Sequence, residues 1–140
     1  MKIVEANIKV RYQETDQMGV VYHGNYLVWF EIGRTEFLEA LGFKYAEMEK
    51  EGIVSPVVDA NLQFKSPIRY GDDVVIKTWV DQYDGLKVVY AYEIVDGEGK
   101  TAVTGTTSHV CVKKDSFRPV STRKKFPELH QAYIQAKGDL

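Results

Sequence analysis

The 140-residue chain is 44% hydrophobic and 27% charged, with a net charge of −2, a composition suited to one globular domain with a core of its own. That balance argues against a general nucleic-acid binder or a membrane-surface protein, which need a basic excess. The lone Cys111 excludes an internal disulfide and a cysteine-based zinc site, and the absence of a signal-like or membrane-length apolar run makes the cytoplasm the expected location.

Residues 3–12 alternate around Ile8, Val10 and Tyr12 and predict a half-buried first strand. A turn-prone polar segment follows, carrying Asp16, Gly19 and His23. After Gly24-Asn25 the period changes. Tyr26, Phe30, Gly33, Phe37, Ala40 and Leu41 fall on one stripe of a helix advancing ~100° per residue, while Glu31, Thr35 and Glu39 point away. The helix is expected from Asn25 to Gly42, a residue suited to the left-handed position after a helix. Its second face is expected to carry Val28, Trp29 and Ile32. Tyr45 to Gly52 reads as one extra helical turn.

Four further strands are expected. Val57 to Ile68 ends at Pro67, which cannot donate to a ladder, and at the turn Gly71-Asp72-Asp73. Val74 to Tyr83 puts Val74, Ile76 and Val80 on one face and Val75, Lys77 and Trp79 on the other. Asp84-Gly85 is a hairpin signal. Leu86 to Val95 groups Val88, Tyr90, Tyr92 and Ile94. The turn Asp96-Gly97-Glu98-Gly99 leads into Thr101 to Lys113, with Val110 and Val112 opposite Val103, His109 and Cys111. Strands joined by tight turns are antiparallel, so one long helix against such a sheet gives an α+β layer architecture. Apolar residues on both helix faces and both sheet faces exceed what one sheet covers, which predicts a homo-oligomer, a dimer or a dimer of dimers. Past Asp115 come Arg118, Arg123, Lys124 and Lys125, then Pro127 at the start of a C-terminal helix with Leu129, Tyr133 and Ile134 apolar. The basic cluster reads as a solvated face or as a phosphate contact.

The absences narrow the chemistry. The chain has no Gly-x-Ser-x-Gly elbow, P-loop or dinucleotide fingerprint. His23, His109 and His130 are far apart in sequence, which predicts no metal site and no cofactor. Cys111, inside an alternating strand, reads as a packed thiol. Asp16 and His23 remain, at the positive end of the long helix, where unpaired N–H groups receive negative charge. From composition and spacing, Asp16 is either a functional acid or a turn former bonding local N–H groups.

The segment Tyr12 to Tyr26, with its Thr15-Asp16-x-x-Gly19-Val20-Val21-Tyr22-His23 core, continues into Glu31-Ile32-Gly33-Arg34-Thr35-Glu36 and Ser66 to Asp73. It resembles the 4-hydroxybenzoyl-CoA thioesterase family of hot-dog folds, and within it the short acyl-CoA thioesterases that include the Tol–Pal-associated enzymes. The resemblance covers nearly the whole chain. It implies a single hot-dog domain over residues 1–140, a long central helix wrapped by a five-stranded antiparallel sheet, and sites at the interface of two subunits whose sheets join. It implies hydrolysis of an acyl-CoA to free acid and CoA, with Asp16 as the catalytic carboxylate and the His23 N–H polarising the thioester carbonyl. The positions of Tyr12 and the His23 side chain are also implicated, Tyr12 bonding the carboxylate or packing. Asp16 acts as general base or as nucleophile, and the two routes stay open. The implied substrate-binding positions are Tyr22, Gly24, Asn25, Tyr26, Val58 and Arg69. One departure is the stretch Tyr83 to Lys87, which lacks the family's consecutive basic residues, so grip on the CoA phosphates moves to Arg69, Lys65 or the basic tail. An acyl-carrier-protein thioesterase and a non-catalytic acyl-binding or interaction module are the alternatives.

Overall fold

A computed structural model describes residues 1–138. The elements are β1 (Val4–Lys9), a 3-10 turn (Tyr12–Glu14), α1 (Asn25–Ala40), α2 (Tyr45–Lys50), β2 (Ile53–Val54), β3 (Val57–Phe64), β4 (Asp73–Tyr83), β5 (Lys87–Val95), β6 (Thr101–Val110), β7 (Val112–Lys113), α3 (Thr122–Lys125) and α4 (Pro127–Lys137). Five strands form one antiparallel sheet in the order β1-β4-β5-β6-β3, and α1 lies across it, the hot-dog arrangement.

The hairpins follow from their turns. The Asp84 carboxylate accepts from the Leu86 and Lys87 N–H groups at 2.9 and 2.7 Å, and Asp96 does the same for Glu98 and Lys100. On β4 the period-2 pattern is exact enough to bury Val74, Ile76, Thr78 and Val80 on the inner face while Val75, Lys77 and Trp79 face out. Helix and sheet meet through aromatic rings: Phe30 stacks on Tyr92 with centroids 4.1 Å apart, and Phe37 meets Tyr90 edge-on. The crossing is tightest at Gly33, where an added Cβ would strike Thr78 Oγ1 and come within 2.9 Å of Ile76 Cγ2.

Several expectations change. Trp29 faces inward and is fully buried, because its indole N–H finds an acid inside the fold; Val28 and Ile32 alone stay on the outer face. Ala40 is exposed at the last turn of α1, which ends one residue before Leu41. Tyr12 lies in the 3-10 turn, not on β1, and is exposed. β3 stops at Phe64, and Ile68 is buried in the connection beyond it. The last strand breaks at Cys111, so that Val112 pairs with β2 and is buried rather than sharing a face with Val110. On α4, Leu129 and Tyr133 are buried but Ile134 is exposed.

A buried polar chain crosses the layers. The Arg34 guanidinium on α1 donates to the Tyr92 hydroxyl at 3.1 Å. Tyr92 then donates to Thr107, Thr107 to His109 Nε2, and His109 Nδ1–H to the Ser55 carbonyl, a direction set by that carbonyl, which can only accept and so holds the imidazole proton on Nδ1. Burial and the nearby Arg34 charge push His109 down to about 4, with the Ser55 contact opposing. Among the described residues the β3 edge has no strand partner on its outer side, and Val57, Val58 and Phe64 are exposed along it. No helix among the described residues is long and apolar enough to cross a membrane.

Candidate active site

Two connections run side by side across one end of the sheet. Residues 10–24 link β1 to α1, and residues 65–72 link β3 to β4. Main-chain bonds seam them together: Val10 N–H to the Asp72 carbonyl at 2.9 Å, Gly71 N–H to Val10 at 3.2 Å, and Val21 N–H to Ile68 at 2.7 Å. The seam holds the polar segment against the start of α1.

Within the first connection, Asp16 N–H bonds Val20 O and Gly19 N–H bonds Asp16 O, closing a tight loop that needs Gly19 at φ +78°. Asp16 Oδ1 accepts from the Met18 N–H at 2.9 Å. The turn-forming role is therefore present, and it engages one oxygen. Among the described residues Oδ2 has no protein partner.

At the helix start, Asn25 N–H bonds Tyr22 O and Tyr26 N–H bonds His23 O. Among the described residues the N–H groups of His23 and Gly24 donate to no protein acceptor. They sit at the positive end of a 16-residue helix. A Cβ on Gly24 would lie 2.8 Å from the exposed Tyr22 ring, so a larger residue there would push that ring aside.

Asp16, His23 and Tyr26 line a common cavity of about 370 Å³. Val20, Val21 and Phe64 supply apolar wall, and Lys65 and Ser66 supply polar groups from the second connection. Phe64 packs against both the His23 and Tyr26 rings. An acid with one free oxygen and a residue with an unengaged N–H, His23, thus border one space, an arrangement able to activate water or attack a carbonyl while stabilising an oxyanion. A larger groove of about 700 Å³ lies between Gly52, Lys113, Lys114 and Lys125. Its cations are exposed and one is paired with Glu51, so chemistry converges on the smaller cavity.

The other expected residues are dispersed. Tyr22 leans on the His23 ring, with centroids 4.4 Å apart, and Gly24 and Asn25 form the first turn, the Asn25 amide donating to the Glu14 carbonyl at 2.9 Å. Tyr12 lies outside the cavity with its ring edge-on to Tyr70. Val58 is on the β3 edge, away from the cavity of its own chain. Arg69 sits exposed in the second connection, its N–H held by Asp72. No group of three metal-capable side chains occurs among the described residues.

Sequence reasoning passed over Glu14. This acid is buried, accepting from Arg11 N–H at 2.8 Å, the Trp29 indole at 2.7 Å and the Arg11 guanidinium at 3.4 Å. Burial alone would raise its pKa, but these donors together outweigh it and hold the carboxyl below the ordinary 4.5. The available signal was a Trp one helical turn inside α1, a residue whose N–H needs an acceptor when buried.

The profile of the thioesterase-like superfamily matches residues 10–132. The protein provisionally named acyl-CoA thioesterase YneP of Bacillus subtilis is 51% identical over 137 residues, 98% of this chain and 99% of that one. The acyl-CoA thioester hydrolase YbgC of Escherichia coli O157:H7 is 29% identical, over 80% of this chain and 84% of its own. The crystal structure of a DHNA-CoA thioesterase from Staphylococcus aureus superposes with a TM-score of 0.93 at 48% identity, covering 95% of this chain and 89% of that one.

Proposed function

The chain belongs to the thioesterase-like superfamily, and on that footing we propose how it works as an acyl-CoA thioesterase. The thioester carbonyl sits in the Asp16 cavity with its oxygen toward the His23 N–H. As negative charge builds on that oxygen, the amide and the helix end stabilise it without reorganising. Asp16 either takes the proton of an attacking water or adds to the carbonyl carbon itself, giving a mixed anhydride that water then opens. In both routes the C–S bond breaks and CoA leaves as a thiolate, which needs no strong acid.

One observation supports this reading above the rest: Asp16, with an oxygen left free, and the unengaged His23 N–H border the same cavity. The remaining roles follow from position. Tyr22, Gly24, Asn25 and Tyr26 shape the first turn around the carbonyl. Lys65 at the cavity and Arg69 on the same connection meet the CoA phosphates. Tyr12, packed on Tyr70, holds the loop rather than the substrate. We take residues 1–140 as one hot-dog domain that works as a dimer in the cytoplasm. A two-fold pairing of β3 edges would set Val58 of one protomer against the end of the strand where its partner's cavity opens.

The finer family placement, near the Tol–Pal-associated branch, rests on the motif between Tyr12 and Tyr26, and the acyl group is open between short, aromatic and DHNA types. A thiol-release assay over a panel of acyl-CoA esters, DHNA-CoA included, tests the reading, with acyl-carrier substrates run beside them. Asp16→Asn is expected to lower kcat about a hundredfold or more while unfolding as wild type does. Undiminished turnover in that variant would remove Asp16 from the mechanism, and tight acyl-CoA binding without thiol release would make the chain a binding module.

A further inference from the structure

Glu14 is a buried carboxylate that the reaction scheme leaves without a task. It lies two residues before Asp16 and is 5% exposed. Its main-chain carbonyl accepts from the Tyr22 N–H and the Asn25 amide, both at 2.9 Å, and its side chain accepts the Trp29 indole N–H at 2.7 Å. Three contacts therefore run from this residue to the stretch 22–29, which contains His23 and the first turn of α1. Two more return to Arg11. The residue clamps the 3-10 turn that leads to Asp16 onto the helix end that presents the His23 N–H.

The choice of an acid here is informative. If the site needed only filling, an apolar side chain would avoid the desolvation cost of a buried charge. The Arg11 guanidinium offsets little, being 65% exposed and 3.4 Å away. A carboxylate is suited to a different demand. Two N–H donors, from Arg11 and Trp29, approach its two separate oxygens. A glutamine is the same shape but offers a single acceptor oxygen, so its NH2 would face one of those donors. Short hydrogen bonds to an ionised acceptor are the stronger and geometrically stricter kind.

We propose that Glu14 is a positioning residue: its carboxylate, bonded to Trp29, sets the separation between the Asp16 carboxylate and the His23 N–H. This rests on the thioesterase reading of the Asp16 cavity. It extends that reading to a residue that touches neither substrate nor reacting atoms. A displacement of about 1 Å between reacting groups is enough to lower a rate about a hundredfold, so the clamp acts on kcat. The cavity walls and the Lys65 side remain as they were, and KM stays near its wild-type value.

The test is a kinetic cycle with Glu14→Gln, Trp29→Phe and Asp16→Asn, each checked for cooperative unfolding. Glu14→Gln is expected to lower kcat roughly ten- to a hundredfold with KM changed less than about twofold. In the Asp16→Asn background the same exchange is expected to cost nothing further, because the group it positions is already gone. Trp29→Phe keeps a ring and deletes the indole donor. It should reproduce the kcat effect, and it carries the test if Glu14→Gln does not fold. An unchanged kcat in both variants, or an equal loss with and without Asp16, would overturn the positioning role while leaving the catalytic reading intact. Full activity in Asp16→Asn alone would overturn both.

Discussion

Replacing Gly33 by alanine tests how closely α1 rides on the sheet. The new methyl would meet Thr78 Oγ1 and lie 2.9 Å from Ile76 Cγ2, about 0.6 Å inside the ~3.5 Å at which carbon atoms attract best. Neither neighbour can retreat cheaply. Ile76 and Thr78 are fully buried on β4, which is paired on both sides. Relief requires lifting the helix, and that loosens Trp29, Phe30 and Phe37, all at 0% exposure. Overpacking of this kind costs about 1–3 kcal/mol, and alanine returns about 1 kcal/mol through its better helix propensity. The net expectation is a loss of up to about 2 kcal/mol, or up to roughly 6 °C in Tm for a chain of this size. Urea unfolding at one fixed protein concentration reads it directly. Thr78→Ala in the same background should recover at least half, since it removes one of the two atoms struck. A Gly33→Ala protein more stable than wild type would refute the argument.

Acid stability should follow His109. Above its ordinary 6.5 both folded and unfolded states leave it neutral. Below that value the unfolded chain takes a proton that the native state refuses until about 4. Stability therefore falls as pH drops through this window, by at most ~3 kcal/mol, and His109→Asn should flatten the slope between pH 6.5 and 4 in urea titrations. A slope that persists in that variant would show other groups at work. Burial pushes the Cys111 thiol up, with the Thr122 hydroxyl 3.7 Å from its sulfur. A thiol-reactive dye should thus leave the native protein unlabelled over an assay and label it once unfolded; rapid native labelling would contradict the packing. Val58→Lys places a charge on the exposed β3 edge. If the proposed β3-edge dimer forms, the variant is expected to sediment as a monomer with lower turnover, whereas a monomeric, fully active wild type would exclude edge pairing.

The hairpins, the long helix and the inward face of β4 were legible because each is written in local terms: Asp-Gly turns, a 3.6 period, a period of 2. Trp29 was misplaced because periodicity assigns a residue to a stripe without knowing what lies above it, and here an acid waits at the flank. Glu14 was missed for the complementary reason. An acid in a polar loop reads as solvated until the chain folds an indole onto it. Ile68 and Val112 are buried by connections whose paths no local pattern specifies. At the cavity, Asp16 and His23 were visible through a motif, but Phe64 and Lys65 arrive from the far side of the sheet, and only the seam between the two connections brings them together.

The unengaged amide of His23 has a consequence for mutational surveys. A donor borne by the main chain survives every side-chain exchange except proline, so an alanine scan at this position would register the imidazole's packing on Tyr22 and remain silent about the hydrogen that the proposed mechanism aims at the carbonyl. Swapping the peptide linkage for an ester by chemical ligation deletes that hydrogen, while also weakening the Tyr22 carbonyl as acceptor for the Asn25 N–H. Drift in the surrounding side chains can then remodel the cavity while the His23 N–H, carried by the main chain, stays in place.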